Sequence, residues 1–374
     1  MLKIISHTPK KVSLPKRETT HEPYFALTCQ SGLESLVKRE CEKLGGRDIE
    51  ARDRLVKCSG EGILLYKLLI GSRFTNRVYL CLDEARAEDF DTLFSVCEGI
   101  NWGNYLSGKE RIVIEWATTK SKLTSIPTIQ SIAQKAIFST LVTPNTTNGT
   151  EVHVLILIID DIAHILLDVT GDPLHKRGYR TESGDAPIKE NLAAALVAFA
   201  NWKYSSPLLD PFCGSGTIAI EAAMIARNIA PGLMRHFRIE ELPCYQRDLM
   251  DQARTELRSR AYPSGKYTIH ARDIDMSVIE KARRNAERAW VSQDIVFEVG
   301  NFLEWETSSF IVSNPPYGNR LQSDELEDIY KKLVGTIERN GGGFISSHPI
   351  FAKGLANKKL LNGWEECRFW YKKS

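Results

Sequence analysis

Residues 208–227 read LLDPFCGSGTIAIEAAMIAR, a short buried strand, a glycine turn and a helix in immediate succession. Gly214 and Gly216 let the backbone turn tightly and approach a ligand closely. Asp210 stands at the strand end, where a carboxylate can accept hydrogen bonds. No third glycine completes G-x-G-x-x-G, and no Gly-Lys-Ser/Thr marks a phosphate loop. A carboxylate here would repel a pyrophosphate but can pair with an ammonium group. The turn therefore points to a ligand with an amino-acid end, such as S-adenosylmethionine.

Outward from this stretch, helix and strand alternate. Helices are predicted over 190–202 and 277–290, the second opened by Ser277 with Glu280 at capping-box spacing. Strands are predicted over 267–271, 295–299, 310–312 and 343–346. Leu326, Ile329, Tyr330, Leu333, Val334 and Ile337 form a further helical stripe. The alternation predicts an α/β, doubly wound sheet that binds ligands at the carboxyl ends of its strands. An insertion over about 230–265, with several arginines, is either a surface elaboration or substrate-facing.

Three more motifs fall at strand ends. In Arg272-Asp273-Ile274-Asp275 the acid after the strand, Asp273, can accept from both ribose hydroxyls, while Asp275 can instead cap the next helix. In Gly300-Asn301-Phe302 a polar side chain can read an adenine amino edge and Phe302 can pack on the ring. Ser313-Asn-Pro-Pro-Tyr-Gly318 is the most telling. An exocyclic amino nitrogen is a poor nucleophile because its lone pair is delocalised into the ring. The Asn314 side-chain oxygen and the Pro315 carbonyl can each accept one N–H, which favours pyramidal nitrogen. The prolines stiffen that corner, and Tyr317 can stack on an extruded base.

Before residue 190 the chain reads as α+β. A strand is expected at 24–27, helices near 33–44, 62–71 and 126–141, and strands at 111–118, 152–159 and 162–169, the last two joined by an Asp160-Asp161 turn. Nothing there looks catalytic. Residues 1–22 read as a flexible basic arm. Residues 171–189 read as a linker in which Lys176, Arg177 and Arg180 are either solvated or in contact with phosphates.

The net charge of +2 neither demands nor excludes a polyanion partner, so nucleic-acid binding has to be argued from local clusters. The eight cysteines show no C-x-x-C spacing and no accompanying His pair, so reduced thiols and no metal are expected. The most apolar stretch, 154–169, is cut by Asp160 and Asp161 and cannot span a bilayer. A soluble, cytoplasmic protein is expected; the oligomeric state is not legible.

Taken in order, DPFCGSGT, DID and NPPYG resemble the class I amino methyltransferases. LHKRGYR (174–180), APIKENLAAAL (186–196), IEAAMIARNIAPGL (220–233), SNPPYGNRL (313–321) and KKLLNGWEECRFW (358–370) are similar to the THUMP-containing bacterial family of 23S ribosomal RNA guanine-N2 methyltransferases. The resemblance covers nearly everything from about residue 24 onward. It implies a ferredoxin-like part (23–70), a THUMP RNA-binding module (71–168), a linker (169–189) and a Rossmann-like methyltransferase domain (190–374). It further implies S-adenosyl-L-methionine contacts through Asp210, Phe212, Gly214, Gly216, Asp273, Asn301 and Asn314. Two departures stand out: Asn301 where Asp is common, and Trp290 where Gly often ends the helix. With one methyltransferase domain, one modification is expected. The implied reaction is methylation of a guanosine N2 in structured RNA, most simply 23S ribosomal RNA. Transfer RNA, DNA adenine-N6, protein glutamine and a catalytically dead RNA chaperone are the competing readings. Pyrimidine C5 methylation needs a nucleophilic cysteine, and Cys213 lies in the cofactor turn.

Overall fold

Two seven-stranded sheets organise the chain in the computed structural model, which describes residues 23–141, 149–181, 188–316, 323–348, 352, 354–363 and 365–373. The first is built from β1 (Tyr24–Thr28), β2 (Arg47–Arg52), β3 (Leu55–Ser59), β4 (Arg77–Arg86), β5 (Arg111–Thr119), β6 (Glu151–Ile159) and β7 (Ile162–Asp168), in the order β2-β3-β1-β4-β7-β6-β5. Its helices are α1 (Glu34–Leu44), α2 (Gly62–Gly71), α3 (Phe90–Glu98) and α4 (Ile126–Thr140). The first six elements, β1-α1-β2-β3-α2-β4, are a ferredoxin-like unit. Its fourth strand, β4, lies beyond residue 70, where the ferredoxin-like part was expected to end. That strand then pairs with β7, which makes both N-terminal parts one sheet. The β6–β7 hairpin turns at Asp160 and Asp161, both left-handed (φ 51° and 60°), as a two-residue type I′ turn requires.

The second sheet holds β8 (Leu208–Asp210), β9 (Ile269–Asp273), β10 (Ile295–Val299), β11 (Phe310–Ser313), β12 (Gly342–Ser346), β13 (Ala356–Asn362) and β14 (Glu365–Tyr371), ordered β10-β9-β8-β11-β12-β14-β13. The first five are parallel, and the last two form an antiparallel hairpin on the β12 side. Around the sheet lie α5 (Glu190–Ala200), α6 (Thr217–Ala226), α7 (Arg247–Ser259), α8 (Met276–Arg288) and α9 (Ser323–Asn340). From β8 the strand order runs one way through β9 and β10 and the other through β11 and β12. The switch point, where such sheets open a ligand crevice, therefore lies between β8 and β11. Among the described residues no helix is long and apolar enough to cross a membrane.

The 230–265 insertion joins the two sheets. Helix α2 is buried almost all round, through Leu64, Leu65, Tyr66, Leu68, Leu69 and Ile70, because its own sheet covers one side and α7 the other. Lys67 pairs with Glu256 on α7 at 2.8 Å, and the Tyr66 hydroxyl accepts from the Gln246 amide. The Gly232 amide donates to the Ile70 carbonyl at 2.8 Å. A Cβ on Gly232 would stand 2.8 Å from the Ile70 Cα, so only glycine allows these backbones to touch. Arg235 reaches back to the Asp172 and Pro173 carbonyls, and the Ile239 amide to the Val169 carbonyl. This segment bridges the two sheets: α7 buries Met250, Ala253 and Leu257 against its neighbours while its other face stays exposed.

Candidate active site

The carboxyl ends of β8, β9 and β11 converge on the glycine turn. Gly214 and Gly216 have φ of 52° and 82°. A Cβ on Gly216 would lie 3.0 Å from the Ala282 Cβ, so this glycine seats the turn against α8. A Cβ on Gly214 would meet nothing within 4 Å, which leaves its backbone open to a ligand. The Gly214 amide donates to Asp273 Oδ2 at 3.0 Å, and Asp273 Oδ1 accepts from the Asp275 amide at 3.2 Å. Asp273 thus pins the turn to the end of β9, while its remaining lone pairs can still accept from hydroxyls. Asp275 takes the other role foreseen for it and caps α8 by accepting from the Ser277 amide. The helix starts one residue earlier than its capping-box reading placed it, because the aspartate is the better-placed acceptor.

Asp210 lies beneath this cradle, buried, and its Oδ1 accepts from the Ser313 hydroxyl at 2.6 Å and the Phe212 amide at 3.3 Å. Burial, and secondarily the negative charge of Asp273, push its carboxyl up to about 7. Ser313 immediately precedes Asn314, so one hydrogen bond ties the glycine turn to the Asn-Pro-Pro corner. Among the described residues the Asn314 Oδ1 is buried and has no hydrogen-bond partner. An unmet buried acceptor is costly, and native structures keep one where a ligand will satisfy it. Pro315 is buried beside it. The Pro316 carbonyl accepts from the Tyr330 hydroxyl at 3.0 Å, and that hydroxyl also meets Ser346 Oγ at 2.7 Å. The corner is held from β8, α9 and β12 at once.

Phe212 is half-buried at the rim, edge-on to Phe302 with centroids 5.3 Å apart. Phe302 itself is part of the core, with the Lys332 ammonium over its ring, so it cannot also pack on a ligand's ring as its sequence position suggested. Asn301 Oδ1 accepts from the Leu303 amide at 3.0 Å and caps a single helical turn. The reading in which this oxygen faces an adenine amino group is therefore weakened, since its primary partner is internal. Tyr317 and the basic arm 1–22 lie outside the described residues.

The cationic linker is corrected more sharply. Arg177 is buried: its Nη1 donates to the Leu174 carbonyl, its Nη2 to the Arg73 carbonyl, and its Nε faces Glu221 at 3.4 Å. Arg180 donates to the Ile188 carbonyl and pairs with buried Glu190 at 3.1 Å. Both guanidinium groups fasten the linker to α5 and α6 and do not present themselves to phosphates. Of the three, Lys176 is exposed, paired with exposed Asp172. Sequence reasoning missed Ser313, Tyr330 and Ser346. The only available signal was the hydroxyl directly before Asn314.

A doubly wound sheet with a glycine turn on β8, an acid closing β9 and an unmet amide oxygen on the β11 turn defines a class I methyltransferase. Comparison with known proteins agrees. Residues 177–358 match the RMKL-like methyltransferase domain, and residues 24–79 the RlmL ferredoxin-like domain. A Bacillus subtilis protein named "Putative RNA methyltransferase YpsC" is 37% identical over 92% of this chain and 95% of its own. Among solved structures, SMU.472, described as a putative methyltransferase complexed with SAH, is 32% identical (TM-score 0.82; 95% of this chain, 98% of that one). A Listeria monocytogenes protein described as a predicted N6-adenine-specific DNA methylase is 30% identical (TM-score 0.84; 94% and 96%). The chain belongs to the family of S-adenosylmethionine-dependent RNA methyltransferases that join these two domains.

Proposed function

We propose that this protein methylates the exocyclic N2 amino group of a guanosine in structured RNA, with 23S ribosomal RNA as the substrate. The observation that carries the reading is the buried, unpartnered Oδ1 of Asn314, on a corner hydrogen-bonded through Ser313 to the cofactor turn. When bound, S-adenosylmethionine supplies an electrophilic methyl group on sulfur. Asp210, Phe212, Gly214, Gly216 and Asp273 would hold it, with Asn301 and Asn314 at its edges. The Asn314 amide oxygen and the Pro315 carbonyl accept hydrogen bonds from the two amino N–H groups and turn the nitrogen lone pair outward, and the one proton that the nitrogen sheds on methylation passes to water. Tyr317 stacks on the extruded base. Such a reaction depends more on positioning than on a strong base. An RNA-binding role for residues 71–168 and a cytoplasmic location fit this reading.

The test is mass spectrometry of nucleosides from ribosomal RNA of cells with and without the gene. Loss of one N2-methylguanosine is expected. The competing reading, adenine-N6 methylation of DNA, is favoured by what the Listeria relative is called, and the same corner could serve it. Intact ribosomal RNA together with loss of N6-methyladenine from DNA would select it instead.

A further inference from the structure

Trp290 carries two costs that nothing at the active site explains. It follows α8 at a position whose amide donates to the Glu287 carbonyl while the Val291 amide donates to the Ala286 carbonyl, the paired bonds of a Schellman ending. That position demands a left-handed backbone, and Trp290 has φ 58° where glycine is the unstrained choice. The residue is also 60% exposed. Nearby, Tyr262 is 57% exposed, and one side chain fixes the two loops together. Arg227 donates from Nε to the Tyr262 carbonyl and from Nη1 to the Trp290 carbonyl, both at 3.0 Å. Tyr204, also left-handed (φ 64°), is 41% exposed.

These rings open onto two cavities that flank the segment after α6 and share Ala230. One, of about 510 Å³, is lined by Trp290 and Lys176 among others; the other, of about 690 Å³, by Tyr204, Tyr262, Arg39, Lys43 and Arg260. Among the described residues Arg39 and Lys43 have no ion-pair partner, and Arg260 and Lys176 pair only with carboxylates of their own segments. Arg73, lining the second cavity, keeps a buried Nη1 without an acceptor. Glu40, on the same wall, is spent on Ser72 and the Arg73 and Phe74 amides.

We propose that this face is a second RNA contact, where unpaired nucleotides stack on Trp290 and Tyr262 while their phosphates meet Arg39, Lys43, Lys176 and Arg260. Aromatic rings interleaved with cations are what single-stranded nucleic acid requires. The face lies at the opposite edge of the sheet from Asn314: α8 starts beside Asp273 and its 13 residues reach Trp290 roughly 20 Å away. RNA would therefore be gripped at two places, the reacting base at one edge and a flanking single strand at the other. The inference rests on RNA being the substrate.

Trp290→Gly is the decisive variant, because it removes the ring and relieves the backbone. With the full chain, affinity for a ten-nucleotide oligoadenylate and for transcribed 23S ribosomal RNA should each fall roughly tenfold. S-adenosylhomocysteine affinity and the thermal midpoint should not fall, and Trp290→Phe should restore most of the binding. Adding Tyr262→Ala should weaken RNA further. RNA affinities within twofold of wild type would overturn the proposal while leaving guanosine methylation untouched. So would an altered sedimentation mass with RNA affinity intact, which would make the face a contact between copies. A wild-type chain that binds neither RNA would remove the substrate reading as well.

Discussion

Asn314 and Asp210 show what single residues decide. Asn314→Ala removes the unmet acceptor, so the methylation rate should fall by at least two orders of magnitude while S-adenosylhomocysteine still binds in calorimetry. Equal turnover would remove the acceptor mechanism. Asp210 makes a pH prediction. Its carboxyl rises from the ordinary 3.8 to about 7 in the folded chain without ligand. Between those values the folded form holds a proton that the unfolded form has lost. This group's contribution to stability therefore declines as pH climbs through that window and is level above it. Asp210→Asn should flatten the decline, measured as unfolding free energy by urea at pH 5 and pH 8, and should weaken cofactor binding. An unchanged difference between the two pH values would refute the burial argument. The glycine turn and the Asn-Pro-Pro corner were legible in the sequence because their chemistry is local. Ser313 was not, since its partner lies 103 residues away, nor was Tyr330, which reads as one more apolar residue on a helix stripe.

Helices and strands of strong period were legible; their ends and loyalties were not. The α6 stretch was read as a helix from its own residues, yet Glu221 within it, fully buried, is what draws Arg177 inward. A basic run looks solvated in sequence because the carboxylate that captures it is 44 positions further on. Removing one partner of a buried pair leaves the other uncompensated, so Arg177→Ala should destabilise the protein by about 3 kcal/mol or more. Guanidinium denaturation would measure this, and a loss under 1 kcal/mol would show the pair to be dispensable. Strand β4 escaped notice because its alternation is imperfect and its register with β7 shifts between Cys81 and Asp83.

At the scale of the whole molecule, the three sequence-read parts fold into two sheets bolted through α2, α7 and the linker. The α2–α7 packing and the backbone bonds at Gly232 and Ile239 lie across that joint. The chain should therefore melt in a single calorimetric transition, with calorimetric and van't Hoff enthalpies equal. Two resolved transitions would show the halves to be independent. A catalytic fragment cut at residue 189 would expose the α7 face that α2 covers, so its poor solubility would say nothing about RNA binding.

Gly232 sets a rule for anyone recombining these proteins. Because two main chains lie in direct contact there, the docking angle leaves no room for padding by a side chain. A chimera that exchanges the first 168 residues with a relative's should function only if the stretch from 230 to 259 travels with them. The natural crossover points then bracket that stretch instead of falling in the polar linker, where a sequence-based design would cut.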